Sequence, residues 1–105
     1  MNTKYLNIKI FLSDVDGVLT DGGMYYTESG DEFKKFCTYD GMGFQLLKKT
    51  GVKVGILTTE DRDLNRRRAK KLGLDFDFHG AKDKLQIVKD LCVEENITID
   101  EVAYI

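Results

Sequence analysis

The sequence predicts an α/β fold built on a parallel β-sheet, and two observations support this prediction. Short apolar segments alternate with amphipathic segments of helical length along the 105-residue chain, as in strand–helix–strand crossovers. Several apolar segments are followed at once by a carboxylate, a threonine or a glycine-containing turn. In open parallel sheets, ligands bind beyond the carboxyl ends of the strands, so the same pattern predicts where a functional site lies.

The first half of the chain predicts a strand, a hairpin and a helix. The apolar run Ile8 to Ser13 predicts a buried first strand. Met24 to Tyr26 and Glu32 to Cys37 are predicted arms of a β-hairpin, because they flank a turn that contains Ser, Gly and Asp. Asp40 to Lys49 predicts a helix that Gly51 closes as a C-terminal cap.

The second half predicts three further strands and two helices in alternation. Val52 to Thr58 is an apolar strand, and Asp61 to Leu72 predicts a helix that ends at a glycine. Phe76 to Phe78 predicts a short strand. Asp83 to Glu95 has the clearest helical periodicity, and Val102 to Ile105 begins a last strand.

Length and composition predict a single domain over residues 1–105. The chain has 42% hydrophobic residues, 32% charged residues and a net charge of −2, which gives no reason to expect a nucleic-acid partner. Residues 1–12 are too short and too polar for a signal peptide or a membrane span, so no membrane association is expected. Cys37 and Cys92 form neither a metal motif nor a Cys-x-x-Cys, which indicates a reducing, cytoplasmic location.

The most informative motif is Asp14-Val15-Asp16-Gly17-Val18, directly after the first predicted strand. Residues two positions apart in a strand point to the same side, so Asp14 and Asp16 face one pocket if the extended geometry continues. Two carboxylates there suit Mg²⁺, which takes oxygen ligands, and one of them could attack phosphorus. The alternative is an ordinary polar loop, which the apolar run before the pair and the glycine after it disfavour.

Two further positions suit a phosphate group. Thr58 ends the second core strand, where its hydroxyl and the backbone N–H groups of Thr59 and Glu60 could hold phosphate oxygens. Lys84 lies in the first turn of the third predicted helix, where a cation is locally unfavourable and therefore suggests a functional role. The alternatives are a helix-capping role for Thr58 and a solvated surface position for Lys84.

In this order the motifs resemble those of the haloacid-dehalogenase (HAD) superfamily, with Asp14 to Val18, Thr58 and Lys84 matching its first three motifs. Over nearly the whole chain, the sequence is similar to the small capless branch that contains the 3-deoxy-D-manno-octulosonate (KDO) 8-phosphate phosphatases and the nonulosonate 9-phosphate phosphatases. The resemblance implies a HAD-like Rossmannoid three-layer fold with a parallel sheet and a β-hairpin insertion after the first strand.

The resemblance also implies a chemistry, namely Mg²⁺-dependent hydrolysis of a sugar-acid phosphate through an aspartyl phosphate. By this resemblance Asp14 is the nucleophile and a Mg²⁺ ligand. Asp16 protonates the leaving sugar oxygen and then activates water, while its backbone carbonyl binds Mg²⁺. Thr58 and Lys84 hold the phosphoryl oxygens and neutralise charge in the transition state.

The residues after Thr58 bear on which sugar acid is the substrate. Glu60 stands where KDO-type enzymes typically carry Arg, so this segment looks more like that of the nonulosonate 9-phosphate enzymes. Glu60 could accept hydrogen bonds from sugar hydroxyls, and Arg68 could pair with the substrate carboxylate. Because Arg68 shares a helix face with apolar residues, it needs a partner. The alternative is a salt bridge to Glu60 or Asp61 without a substrate role.

The hairpin and the end of the chain raise two further expectations. The hairpin is too apolar for a free flap, and the resemblance implies that hairpins assemble into a homotetramer; the alternative is a hairpin folded on its own core. The single histidine, His79, is expected to be structural. HAD phosphatases carry a fourth motif, Gly-Asp-Asp-x-x-Asp, after a strand that here corresponds to Glu101 to Ile105, so we expect a chain that is C-terminally incomplete relative to the family.

Two other classes of function remain open at this point. One is a catalytically disabled oligomeric scaffold of the same fold, which would form tetramers without Mg²⁺-dependent hydrolysis. The other is a receiver-like phosphoacceptor, which also uses carboxylates, a threonine and a lysine, and which would carry a long-lived aspartyl phosphate. The position of Asp16, two residues from the nucleophile, favours the phosphatase.

Overall fold

The structure is a computed structural model that describes residues 7–105. The predicted alternation of strands and helices is confirmed. The elements follow in the order β1 (Ile10–Ser13), β2 (Tyr25–Tyr26), β3 (Glu32–Phe33), α1 (Thr38–Lys49), β4 (Lys53–Leu57), α2 (Asp63–Leu72), β5 (Phe76–Phe78), α3 (Lys84–Glu95), a 3₁₀ turn (Ile99–Glu101) and β6 (Val102–Tyr104).

Four of the strands form one parallel sheet in the order β5-β4-β1-β6. The central strand β1 pairs Ser13 with Ile56 of β4 and Leu12 with Tyr104 of β6. All four strands therefore end at one edge of the sheet, and the residue directly after β1 lies between the ends of its two neighbours.

Helices cover both faces of this sheet, which gives the three layers that the sequence predicts. One core joins β1 and β4 to α3, and its buried members include Ile10, Leu12, Leu57, Leu91 and Cys92. The other core joins the opposite face to α1 and α2, and its members include Val54, Ile56, Phe44 and Ala69. Since alternate residues of a strand point to opposite faces, the apolar runs of β1 and β4 supply both cores.

The predicted hairpin lies between β1 and α1. Its strands β2 and β3 are antiparallel, with Tyr25 opposite Phe33, and an isolated bridge between Thr20 and Phe36 closes its base. The paired segments are shorter than predicted, because only two residues of each arm form a ladder. Much of the apolar surface of the hairpin stays exposed, with Tyr26 at 69%.

Element boundaries differ from the predictions by up to four residues, as the second helix shows. The second helix begins at Asp63 instead of Asp61, because Arg62 has the extended backbone of a helix N-cap. Gly73 ends that helix in the left-handed conformation, as predicted. Within residues 7–105, no helix has the length and apolar character to cross a membrane.

Candidate active site

Asp14 lies directly beyond the central strand β1, in the middle of the sheet edge. Its N–H donates to the Ile105 carbonyl at 2.8 Å, and its Oδ1 accepts from the Val15 N–H at 2.8 Å. The other oxygen, Oδ2, is 3.8 Å from Lys84 Nζ. The side chain is 32% exposed, so one oxygen is fixed while the other stays accessible beside a cation.

The turn after Asp14 is held by a dense set of backbone hydrogen bonds. The buried Val15 accepts bonds at its carbonyl from the N–H groups of the three residues at 18–20. Thr20 Oγ1 accepts from Gly17 N–H at 3.2 Å and from Gly22 N–H at 3.1 Å. Gly17 has a φ of +77°, which other residues rarely adopt. The turn therefore presents Asp16 on a fixed backbone beside Asp14.

Thr58 lies at the end of β4, next to Asp14 across the sheet. It is 2% exposed, its N–H donates to the Phe78 carbonyl at 2.9 Å, and its carbonyl accepts from Ala81 N–H at 3.0 Å. Its Oγ1 accepts only a long bond of 3.4 Å from Glu60 N–H. Thr59 is exposed. The Thr58 hydroxyl thus lies at the predicted edge, where its proton can be donated to an oxyanion, whereas the N–H groups of Thr58 and Glu60 already donate within the chain.

Lys84, the first residue of α3, reaches back toward Asp14 along the side chain of Tyr104. Its Nζ donates to the Tyr104 hydroxyl at 2.9 Å and lies 5.5 Å from the ring centroid. The hydrogen bond to Tyr104 is the largest cause of a raised pKa of Lys84; the charge of Asp14 adds to it, and burial opposes it. Lys84 is therefore a firmly charged cation.

Two residues of this site were not predicted from the sequence. Tyr104 could have been found as the last residue of a strand that neighbours β1. Lys34 comes directly after β3, and its side chain is fully buried against Asp16 and Glu60, with Nζ 2.9 Å from Asp16 Oδ1 and 2.9 Å from Glu60 Oε1. Its signal was the period-two pattern of the hairpin arm, in which Lys34 shares a face with Phe36.

The ionisation of Asp16 depends on these neighbours. The pKa of Asp16 lies below its ordinary value, with the bond to Glu60 as the largest cause; burial opposes this shift, and the Lys34 ammonium reinforces it. The pKa of Lys34 is raised, since its contacts with Asp16 and Glu60 together outweigh the effect of burial. Asp16 is therefore held as a carboxylate.

Arg68 is the predicted site residue that the structure places apart from this group. Its Nη2 donates to the Cys37 carbonyl at 3.2 Å, and its guanidinium lies 5.4 Å from the Phe36 ring centroid. The expected alternative, an ion pair with Glu60 or Asp61, is wrong: Glu60 contacts Arg62 and Asp61 contacts Arg66. Arg68 lies on an apolar helix face and was therefore expected to need a partner. The base of the hairpin provides that partner.

His79 takes part in a separate polar cluster. Arg66 Nε donates to His79 Nε2 at 2.7 Å, and His79 Nδ1 is 2.9 Å from Asp77 Oδ1. An arginine has no acceptor, so Nε2 must accept and Nδ1 carries the hydrogen. His79 therefore joins α2 to β5 through its contacts with Arg66 and Asp77.

The oxygen donors at this edge fit a Mg²⁺ ion. Within residues 7–105, no group of three or more His, Cys, Asp or Glu side chains is arranged to hold a metal. Mg²⁺ does not need such a group, because it commonly binds one or two carboxylates and completes its shell with water and phosphate oxygens. The carboxylate of Asp14 meets this requirement, and Asp16 is a second carboxylate on the same turn.

Known proteins resemble this chain along its whole length. No family model matches it. It is 37% identical over 105 residues to the 3-deoxy-D-manno-octulosonate 8-phosphate phosphatase of Haemophilus influenzae, covering 100% of this chain and 58% of that enzyme. The enzyme of the same name from Yersinia pestis is 35% identical over 99 residues, covering 94% of this chain and 53% of the relative. The chain thus spans somewhat more than half the length of these relatives.

Solved structures agree with this result. A probable phosphatase of the YrbI family from Pseudomonas syringae superposes with a TM-score of 0.92 at 40% identity, over 97% of this chain and 58% of that one. A KDO 8-phosphate phosphatase from Moraxella catarrhalis, solved in complex with magnesium, phosphate and KDO, gives a TM-score of 0.90 at 38% identity, over 99% and 62% of the two chains.

The fold is therefore that of the HAD-superfamily hydrolases found among its structural neighbours. Within that superfamily, the chain is a homologue of the KDO 8-phosphate phosphatases. The resemblance inferred from Asp14 to Val18, Thr58 and Lys84 is confirmed at the level of the family.

Proposed function

We propose that this protein is a Mg²⁺-dependent phosphatase that hydrolyses the phosphomonoester of a sugar acid. The observation that supports this most strongly is the placement of Asp14, with one fixed carboxylate oxygen and one accessible oxygen 3.8 Å from Lys84 Nζ. A nucleophile needs that freedom, and the adjacent cation suits the negative charge of a phosphoryl group. The names of the relatives support the same class of reaction.

The reaction proceeds in two steps, each assigned to residues of this chain. Asp14 Oδ2 attacks phosphorus, and the bond from phosphorus to the sugar oxygen breaks while Asp16 donates a proton to that oxygen. Water then attacks the aspartyl phosphate and Asp16 accepts its proton, which releases phosphate, regenerates the Asp14 carboxylate and returns Asp16 to the protonated form in which it began the first step. The Thr58 hydroxyl, the Thr59 N–H and Lys84 hold the phosphoryl oxygens throughout.

Asp14 and Asp16 are the residues that would hold a Mg²⁺ ion, which would supply charge neutralisation at the phosphoryl oxygens. Asp16 rests as a carboxylate, which suits its second role as a base. For its first role it needs a proton, and the approach of a phosphate dianion favours protonation because a nearby like charge raises the pKa of a carboxyl group.

The central test compares Asp14→Asn with the matched surface variant Asp90→Asn. Asp14→Asn removes the attacking oxygen and nearly abolishes phosphate release from KDO 8-phosphate and from a nonulosonate 9-phosphate, while circular dichroism shows a retained fold. Asp90→Asn keeps wild-type turnover. Removal of divalent cations with EDTA abolishes the turnover of both the wild-type protein and Asp90→Asn. Substantial activity in Asp14→Asn would contradict the nucleophile assignment.

The substrate within this class is either KDO 8-phosphate, after which the relatives are named, or a 2-keto-3-deoxy-nonulosonate 9-phosphate, which Glu60 favours. Glu60 is the specificity residue in this proposal, as an acceptor for sugar hydroxyls, whereas Arg68, which contacts the Cys37 carbonyl and the Phe36 ring at the base of the hairpin, is no longer assigned to the substrate carboxylate. Glu60→Arg is expected to shift the ratio of kcat/KM toward the 8-phosphate. An unchanged ratio would overturn the specificity role of Glu60.

We further propose that the protein acts as a homotetramer in the cytoplasm. The exposed apolar residues of the hairpin, Tyr25, Tyr26 and Phe33, support the assembly, and the two free thiols Cys37 and Cys92 suit a reducing compartment. Tetramers without Mg²⁺-dependent turnover would favour the scaffold alternative instead. An aspartyl phosphate that persists for minutes after acetyl phosphate treatment would favour the receiver-like one.

A further inference from the structure

A fully buried lysine lies beside the candidate catalytic groups, and neither proposed step uses it. The side chain of Lys34 has no exposed surface, whereas the Asp16 side chain that it contacts is 43% exposed. An ammonium group leaves water only at a high cost unless it is paired with opposite charge. Most lysines keep their ammonium group in water. The burial of Lys34 therefore needs another explanation, which its charged neighbours supply.

The Lys34 ammonium joins two carboxylates that come from different loops. Nζ is 2.9 Å from Asp16 Oδ1, in the turn after β1, and 2.9 Å from Glu60 Oε1, in the loop between β4 and α2. Neither contact has the angle of a directed hydrogen bond, so both act as ion pairs. One charge thus sets the positions of both acidic groups.

A second contact fixes the same hairpin to the same loop. Arg62 Nη1 is 2.8 Å from Glu32 Oε2 in β3, and its Nε is 3.4 Å from Glu60 Oε1. Charges therefore alternate along a continuous chain, in the order Asp16, Lys34, Glu60, Arg62 and Glu32. The hairpin is attached to the site by these ion pairs, while the side chains of Tyr25, Tyr26 and Phe33 are exposed.

We propose that Lys34 is a positioning residue that holds the carboxylates of Asp16 and Glu60 and thereby makes the docked hairpin part of the active site. The expected effect of Lys34 on kcat rests on the proposed function, whereas its effect on hairpin docking does not. Asp16 has a half-exposed side chain that would otherwise sample several rotamers. A displacement of an acid–base group by about 1 Å can lower a rate by roughly a hundredfold.

The experiment compares Lys34→Met, Lys34→Arg and the matched control Lys35→Met in the full-length protein. Lys35 is the adjacent exposed lysine of the same arm, and no ion pair of Lys35 is found within residues 7–105. Hydrogen exchange of the hairpin amides and thermal unfolding report docking without requiring activity. Turnover of the two sugar-acid phosphates reports the catalytic consequence.

Lys34→Met is expected to speed hydrogen exchange of the hairpin amides by about tenfold, which is the size of effect expected when a strong contact between neighbours is lost. It is also expected to lower kcat by roughly 10- to 100-fold. Lys34→Arg restores both, because a guanidinium also bridges two carboxylates, and Lys35→Met changes neither. In a double-mutant cycle, Lys34→Met and Glu60→Gln are expected to be non-additive in thermal stability.

Two results would overturn the inference. One is wild-type hairpin exchange in Lys34→Met together with additive stabilities in the cycle. The other is faster exchange with kcat unchanged, which would reduce Lys34 to a structural contact. A wild-type protein without turnover would refute the proposed function, whereas the exchange and the cycle would still decide whether Lys34 holds Asp16, Glu60 and the hairpin together.

Discussion

Each of the two candidate catalytic carboxylates has its own cation. Asp14 lies 3.8 Å from the ammonium of Lys84, and Asp16 lies 2.9 Å from that of Lys34. Two carboxylates two residues apart repel each other, and a separate cation beside each one offsets this repulsion. The two cations come from α3 and from the hairpin, so the electrostatics of the site depend on elements far apart in the sequence.

The two thiols are expected to differ strongly in reactivity. Burial is the first cause of a raised pKa of Cys92, and the charge of Glu101 adds to it, so less thiolate forms at a given pH. Cys37 is exposed. Iodoacetamide at pH 8 should therefore alkylate Cys37 first, as peptide mapping would reveal, and urea should make both react. Equal rates in the native protein would contradict the burial of Cys92.

At the residue scale, the sequence predicts the functional residues at strand ends better than the contacts between distant elements. Asp14, Asp16 and Thr58 were predictable because strand ends meet at one edge of a parallel sheet. Lys34 and Tyr104 were not, since their contacts depend on how the hairpin docks and which strand neighbours β1. Arg68 shows the same limit, because its helix face predicted a partner but not which one.

At the scale of elements, close packing of strands fixes where glycine is required. Gly55 lies in the middle of β4, opposite Phe76 of β5. A Cβ at Gly55 would be 2.5 Å from Phe76 Cβ and 2.6 Å from its carbonyl oxygen. The backbones of β4 and β5 therefore pack at a distance that leaves no room for a side chain, and this pairing holds Thr58 in place.

Gly55→Ala is accordingly expected to destabilise the protein, by about 1–3 kcal/mol as for overpacked cores. Gly43 provides the matched control, because a Cβ there meets nothing within 4 Å and Gly43 lies inside α1. Gly43→Ala should stabilise by roughly 0.5–1 kcal/mol. Urea unfolding of the three proteins measures both effects. A neutral Gly55→Ala would mean that β4 and β5 can move apart at no cost.

At the scale of the whole molecule, the hairpin has a charged side that faces the active site and an apolar side that is exposed. Glu32 and Lys34 turn toward the loops of the site, whereas Tyr25, Tyr26 and Phe33 are 56%, 69% and 51% exposed. An apolar surface of this kind commonly marks an interface. A second subunit that covers this apolar surface would also restrict the hairpin to the position in which Lys34 contacts Asp16 and Glu60. Assembly of the subunits would then stabilise the active site.

This division of the hairpin leads to a prediction about assembly. Light scattering of the wild-type protein is expected to give about four times the chain mass of 12.0 kDa. Tyr26→Glu should dissociate the assembly, because a carboxylate buried in an apolar contact is strongly unfavourable. Val93→Glu is the control, since Val93 is 81% exposed but lies on α3, away from the hairpin. A monomeric wild type would reject the assembly. A tetramer that persists in Tyr26→Glu but dissociates in Val93→Glu would show that the interface lies at α3. The hairpin would then contact only the active site of its own subunit.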